Sequence, residues 1–303
     1  MQKIFRILLL LSLIFFAWYL YRADYLVFDK ISFNWLRLSL SLFFLFAGFL
    51  GVCLSWGIAL RLRGNPVRFS DAVISQGIYI FSKYIPGKLW VILGRASYFS
   101  NDKTRLRSLS MISLQEQLIF LFWGLVLSLP PTLFITQRPW IGMIICAGIL
   151  LLAFLLFSGW FHRLSSGLLQ RIFKRDFDFR PMELSFFLKV SAPVLLFWML
   201  WSAGFWLLML SMYDGIPSIL ALTFPAGMTY GFMVIFMPAG IGVREGILAS
   251  FLIAGGLSPG SAFTISVISR FWFVSGEIFL FLLSWIMKLT GGKDAGYPEY
   301  PST

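Results

Sequence analysis

Long apolar runs broken by short polar stretches set the pattern of this chain. The first run, residues 4–21, follows Lys3 and Arg6 and closes on Trp18, Tyr19 and Tyr21. A cleaved leader needs a short apolar stretch followed by small residues. Aromatic residues stand there instead, so the pattern predicts a retained helix with an aromatic belt at its far end. Further runs at residues 38–60, 110–135, 140–160, 186–212 and 262–285 are each long enough to cross a membrane core about 30 Å thick, which takes roughly 20 residues of helix.

Other segments break this rhythm. Residues 72–84 and 89–100 are two pieces of about a dozen residues, hinged at Pro86-Gly87-Lys88. At 1.5 Å per residue each gives roughly 18 Å of helix, too short to cross. Residues 219–236 and 246–254 repeat the arrangement around Pro238-Ala239-Gly240-Ile241-Gly242-Val243-Arg244-Glu245-Gly246. Basic residues flank the first pair (Arg61, Arg63, Arg68; Lys103, Arg105, Arg107) and not the second. The pattern predicts two re-entrant hairpins that enter from opposite faces. Residues 162–181 are polar, with Leu164, Leu168, Leu169, Ile172 and Phe173 at helical spacing, and suit an amphipathic helix lying on the membrane surface.

The two halves then read alike: two crossings, a hairpin, a third crossing. The hinge prolines, Pro86 and Pro238, stand 152 positions apart, about half of the 303 residues. An odd number of crossings per half turns the second half over relative to the first. The expected fold is an all-α polytopic membrane protein with six full crossings and two opposed re-entrant helical hairpins. It forms an inverted repeat of the kind found in secondary transporters. One transmembrane domain spans residues 1–288, with repeats at about 4–135 and 139–287, and residues 289–303 form a Gly/Pro-rich disordered tail.

Composition agrees. The chain is 59% hydrophobic and 13% charged, which excludes an ordinary soluble domain. A net charge of +12 raises the question of nucleic acid, but placement answers it. On this topology one face carries fifteen Lys and Arg and the other carries four, Arg22, Lys30, Arg37 and Arg138. The bias orients both termini to the cytoplasm and leaves anionic lipid, not nucleic acid, as the partner of the positive face. Cys53 and Cys146 lie in apolar runs without motif spacing and are expected to pack; His162 is the single histidine, so no metal cluster and no cofactor is expected.

The candidate chemistry is the charge left at membrane depth. Ionisable groups there are expensive and mark functional sites by default. Lys83 is near a helix end and is expected to snorkel. Lys88 sits at the first hinge and Arg244 at the second, each before a half-helix whose free N–H groups and dipole favour an anion. Arg95 and Arg270 add positive charge, and Glu116 (between Gln115 and Gln117), Glu245 and Glu277 oppose it. Arg270 and Glu277, seven apart, share one helix face. Two readings stand. In one, these charges neutralise each other and hold the hairpins to the bundle. In the other, the surplus of cations binds an anionic lipid headgroup through Lys88, Arg95, Arg244 and Arg270. Glu116, Glu245 and Glu277 then position the cations or couple protons. No catalytic set of His, Asp and Ser and no P-loop appears, so an enzyme is unsupported, although a membrane transferase acting on a lipid-phosphate headgroup could work with carboxylates and arginines alone.

Tyr84-Ile85-Pro86-Gly87-Lys88 with Gly94-Arg95, and Pro238 through Gly246, resemble the two signature breaks of the flippase-like membrane family that includes the transmembrane part of lysylphosphatidylglycerol synthases. Arg270 is similar to an arginine that family carries in its last crossing. The resemblance covers about residues 4–288. It implies a bacterial cytoplasmic (inner) membrane protein that moves an anionic lipid or lipid-linked precursor between leaflets. Pro86, Gly87, Pro238, Gly240 and Gly242 would be the hairpin hinges. Two departures matter: position 239 is Ala where Gly is common, and the chain ends at Thr303 without a soluble synthase domain, so lysyl-lipid synthesis is not implied.

Overall fold

The computed structural model describes residues 33–84, 89–100, 103–159, 182–233 and 242–290, and every regular element among them is helical. Helix α1 is Trp35–Leu62, α2 Phe69–Ile78, α3 Leu89–Ser97, α4 Lys103–Thr136 and α5 Pro139–Phe157. Helix α6 is Leu184–Met212, α7 Thr223–Met233, α8 Val243–Ala254 and α9 Pro259–Thr290. Short 3-10 turns at Ile80–Tyr84 and Ser218–Leu222 follow α2 and precede α7. The first apolar run, the surface segment 162–181 and the tail beyond Thr290 lie outside the described residues. So do four of the five hinge positions, Pro86, Gly87, Pro238 and Gly240.

The helix ends follow local chemistry. The Asn34 side chain accepts from Arg37 N at 3.1 Å and caps α1. Proline opens α5 and α9, where its missing N–H would be unsatisfied anyway. Helix α4 starts seven residues before its apolar run and passes through Pro130 and Pro131 to Thr136. There the hydroxyls of Ser128, Thr132 and Thr136 bond carbonyls of the preceding turn.

Five helices are long and apolar enough to cross a membrane: Trp35–Leu62, Leu106–Thr136, Pro139–Phe157, Leu184–Met212 and Pro259–Thr290. Their outward positions are apolar too. Phe43, Met143, Ile144, Leu150, Leu188 and Phe271 are all exposed, a surface that water would not tolerate over such an area. This is a helical membrane protein. Cys53 is buried as expected, whereas Cys146 is exposed on α5, so its packing partner inside the fold is missing because that face of the helix points outward.

Packing centres on α1 and α6, which run antiparallel with the most extensive interface in the structure. They are pinned at both ends, by Arg37–Asp214 at 2.5 Å and Arg63–Glu183 at 3.0 Å. Between the pins the backbones close up: Ser41 Oγ donates to Gly204 O at 2.6 Å, and a Cβ at Gly48 would fall 2.4 Å from the Trp201 ring. Small residues at such crossings are the usual device of membrane helices.

The short helices exchange partners. Helix α2 packs on α9, where Ser284 Oγ donates to Val73 O at 2.8 Å. Helix α7 packs on α4, where Tyr230 OH donates to Ser128 Oγ at 2.9 Å. The second member of each pair stays at home, α3 on α4 and α8 on α9. Four helices of 10, 9, 11 and 12 residues are thereby held against the longer ones.

Candidate functional site

Between the two halves lies a cavity of about 170 Å³, counted as room for the centres of water-sized molecules. That is space on the order of a dozen waters. Its wall is mostly aromatic and aliphatic, with Phe49, Phe120, Phe197, Trp201, Phe232 and Phe273 prominent. Six polar side chains reach it: Gln76, Glu116 and Gln117 from the first half, and Arg244, Arg270 and Glu277 from the second. The helical repeat explains the second set. Ser266, Arg270, Phe273 and Glu277 recur at intervals of four, three and four on α9, so one face carries them all.

Arg244 opens α8. Gly242, just before it, holds φ at +82°, a left-handed conformation that favours glycine, and this turn starts the helix. The Glu245 carboxylate reaches back and accepts from Gly242 N at 2.7 Å, satisfying a free N–H of the helix start. The Arg244 guanidinium lies 5.1 Å from the ring centres of both Phe224 and Phe273. At these distances each ring attracts the cation by about 0.5–2 kcal/mol. Helix α7 fixes the position from behind: a Cβ at Gly231 would lie 3.0 Å from Arg244 Cβ.

Arg270 is held by Glu245, at 3.7 Å from Oε1, and that oxygen receives no hydrogen bond. Glu245 is further tied by Ser266 Oγ, which donates to its carbonyl at 2.7 Å. The arginine and its partner are mostly buried, with side chains 18% and 7% exposed.

Arg95 is placed differently from the headgroup contact expected of it. Its side chain is fully buried, does not line the cavity, and is committed to protein partners. Nε donates to Ser113 Oγ at 2.6 Å, Nη1 to Gln76 Oε1 at 3.2 Å, and Nη2 to Ser113 O and Glu116 Oε2 at 2.8 and 2.7 Å. Trp56 covers the guanidinium face at 4.3 Å. Arg95 therefore acts on the cavity through Glu116, whose other oxygen accepts from Ser55 Oγ at 2.7 Å.

Each half thus clasps the second helix of its short pair to its own last helix with one arginine–carboxylate pair. In the first half the short helix brings the arginine; in the second it brings the glutamate. Arg95, Arg244 and Arg270 stand against Glu116, Glu245 and Glu277, so the formal charges of the described cluster sum to zero. The expected surplus of cation rests on Lys88, which lies outside the described residues.

The structure brings Glu116, Arg244, Arg270 and Glu277 to one cavity and sets Glu245 behind Arg270. Gln115, by contrast, faces α1 and accepts from Arg63 Nη2 at 3.2 Å. Sequence reading missed Gln76 and the aromatic pair around Arg244. Gln76 was legible as an amide inside an apolar run; Phe224 and Phe273 look like any lipid-facing phenylalanine in a chain with 34 of them. No group of three or more His, Cys, Asp or Glu among the described residues is arranged to hold a metal ion. No family model, curated protein or solved structure matches the chain, so the resemblance to the flippase-like family rests on its two motifs.

Proposed function

We propose that this protein moves a lipid with an anionic, phosphate-bearing headgroup, a phospholipid or lipid-linked precursor, between the leaflets of the cytoplasmic membrane. The observation that carries the reading is Arg244 and Arg270 on the wall of an otherwise mostly apolar cavity inside a helical membrane protein. Guanidinium groups pair well with phosphate oxygens, and low-dielectric surroundings strengthen the pairing. Arg95 serves by fixing Glu116. The apolar wall and outer surface accommodate acyl chains.

The topology belongs to the same proposal. In this reading the apolar run 4–21, which lies outside the described residues, would be a sixth crossing beside the five long helices, and the pairs α2–α3 and α7–α8 are re-entrant hairpins from opposite faces. Helices of 9 to 12 residues are too short to span, which supports this. The exchange of partners, α2 onto α9 and α7 onto α4, supports the inverted repeat, because each half does to the other what is done to it. Both termini are then cytoplasmic, and alternating access is one repeat rocking against the other around a fixed site.

The test is purified full-length protein in liposomes carrying acyl-labelled phospholipids, with leaflet exchange followed by quenching from outside. Exchange above protein-free vesicles, lowered by Arg244→Ala, is expected. If no labelled phosphate lipid exchanges above that background, or if Arg244→Ala changes nothing, the reading fails.

A further inference from the structure

Two amides on the cavity wall have their orientation set by charge. Arg95 Nη1 donates to Gln76 Oε1 at 3.2 Å. A guanidinium has donors and no acceptor, so the Gln76 carbonyl must face it, and the amide nitrogen is the end left over. Glu116 acts in the opposite sense. Its Oε2 accepts from Gln117 Nε2 at 3.3 Å, and a carboxylate paired with arginine only accepts, so the Gln117 carbonyl is the end left over. Both side chains line the cavity, Gln76 from α2 and Gln117 from α4. Gln76 is only 8% exposed, yet its amide nitrogen has no hydrogen-bond partner among the described residues, and neither has the Gln117 amide oxygen.

One ion pair thus leaves one donor and one acceptor on the same wall. They are neighbours, because Arg95 Nη2 and Gln117 Nε2 meet at a single oxygen, Glu116 Oε2, while Arg95 Nη1 holds Gln76. A phosphate oxygen only accepts, so it would satisfy Gln76 and oppose Gln117. An ammonium only donates and would do the reverse. A hydroxyl has one donor and two acceptor lone pairs and serves both amides with one oxygen. We infer that Gln76 and Gln117 read a hydroxyl of the headgroup, which accepts from Gln76 Nε2 and donates to Gln117 Oε1. This rests on the translocation reading above and narrows its substrate to lipids whose phosphate carries a hydroxylated alcohol, a glycerol or a sugar. The first half of the protein then reads the alcohol, and Arg244 and Arg270 of the second half bind the phosphate. A headgroup without the hydroxyl leaves both amides unpaired in a mostly apolar cavity, which is how sites built around a hydroxyl reject analogues that lack it.

The experiment uses the full chain in liposomes with three acyl-labelled lipids. Phosphatidylglycerol carries hydroxyls beyond its phosphate. Phosphatidylpropanol has the same charge and the same headgroup carbon count and lacks them, and phosphatidylethanolamine offers an amine in their place. Phosphatidylglycerol is expected to exchange about tenfold faster than either of the others. Gln76→Glu keeps an acceptor for Arg95 and removes the donor, so the ratio of phosphatidylglycerol to phosphatidylpropanol exchange is expected to fall toward one. Should Gln76→Glu fail to fold, Gln117→Met removes the acceptor at similar length and is expected to lower the same ratio. Phosphatidylglycerol exchanging no faster than either comparison lipid, or a ratio that neither variant shifts, overturns the hydroxyl subsite and leaves translocation standing. Exchange of none of the three lipids overturns both.

Discussion

Arg95 donates to Glu116 across 2.7 Å with both side chains sealed off, one fully and the other to 1% exposure. This contact joins α3 to α4, and through Ser55 it reaches α1. Four hydrogen bonds and an indole face surround the guanidinium, so its buried charge is paired and hydrogen-bonded. Removing one partner strands the other. Arg95→Met is expected to destabilise the folded protein by about 3–5 kcal/mol, whereas Arg95→Met with Glu116→Leu recovers most of that loss. Thermal unfolding in detergent of the two single variants and the double variant checks it. A double variant no better than the singles would show that the pair is not the unit.

The matching pair of the second half is not interchangeable with the first. Glu245 serves Arg270 with one oxygen and caps Gly242 N with the other. Swapping the charges, Glu245→Arg with Arg270→Glu, restores an ion pair across α8 and α9 and leaves the Gly242 N–H without its acceptor. Loss of such a cap typically costs about 0.5–2 kcal/mol. The swapped protein is therefore expected to be less stable than the natural one by about that much, and more stable than Glu245→Arg alone. The same unfolding measurement on three proteins reads both differences.

Much of this was legible in the sequence, and the reason is physical. Hydrocarbon forces helix on any spanning segment, so the long helices announce themselves by length and apolarity, as α1, α5 and α6 do. Breaks and charges inside such segments are conspicuous, which is why Arg244, Glu245, Arg270 and Glu277 stood out. What the chain could not display is which charge meets which. Arg95 reads as a ligand-binding cation in the sequence because the four acceptors its guanidinium meets, on Gln76, Ser113 and Glu116, lie on α2 and α4, and no spacing along the chain encodes that meeting. The aromatic faces of Phe224 and Phe273 were hidden for the opposite reason: they have the same composition as their surroundings.

Gly231 offers a test of how closely α7 must approach the Arg244 backbone. A Cβ there would stand 3.0 Å from Arg244 Cβ and 3.4 Å from its Cα, neither of which is the mobile end of a side chain. Gly231→Val is expected to push α7 and α8 apart, at a typical overpacking cost of about 1–3 kcal/mol. Leaflet exchange is expected to fall with it, because Arg244 moves off the two rings that hold it. Gly148 on α5 has open space around its Cβ position, so Gly148→Val is the matched control and is expected to leave both stability and exchange near the natural level.

The proposed opposed entry of the two hairpins gives the last prediction, made by labelling from one side. Arg68 precedes α2 on the side that the proposed topology makes rich in Lys and Arg, and Ser258 follows α8; both are exposed. If the halves are inverted, these two positions face opposite compartments. Cys53 is fully buried, so only the exposed Cys146 needs replacing, by alanine, to give a quiet background. In intact cells a membrane-impermeant maleimide is then expected to label Ser258→Cys readily and Arg68→Cys only after the membrane is opened. Labelling of Ser258→Cys only after opening would place both hairpins on one face. The exchange of packing partners between the halves would then need another explanation, because two halves entering from the same side cannot be related by an axis lying in the membrane plane.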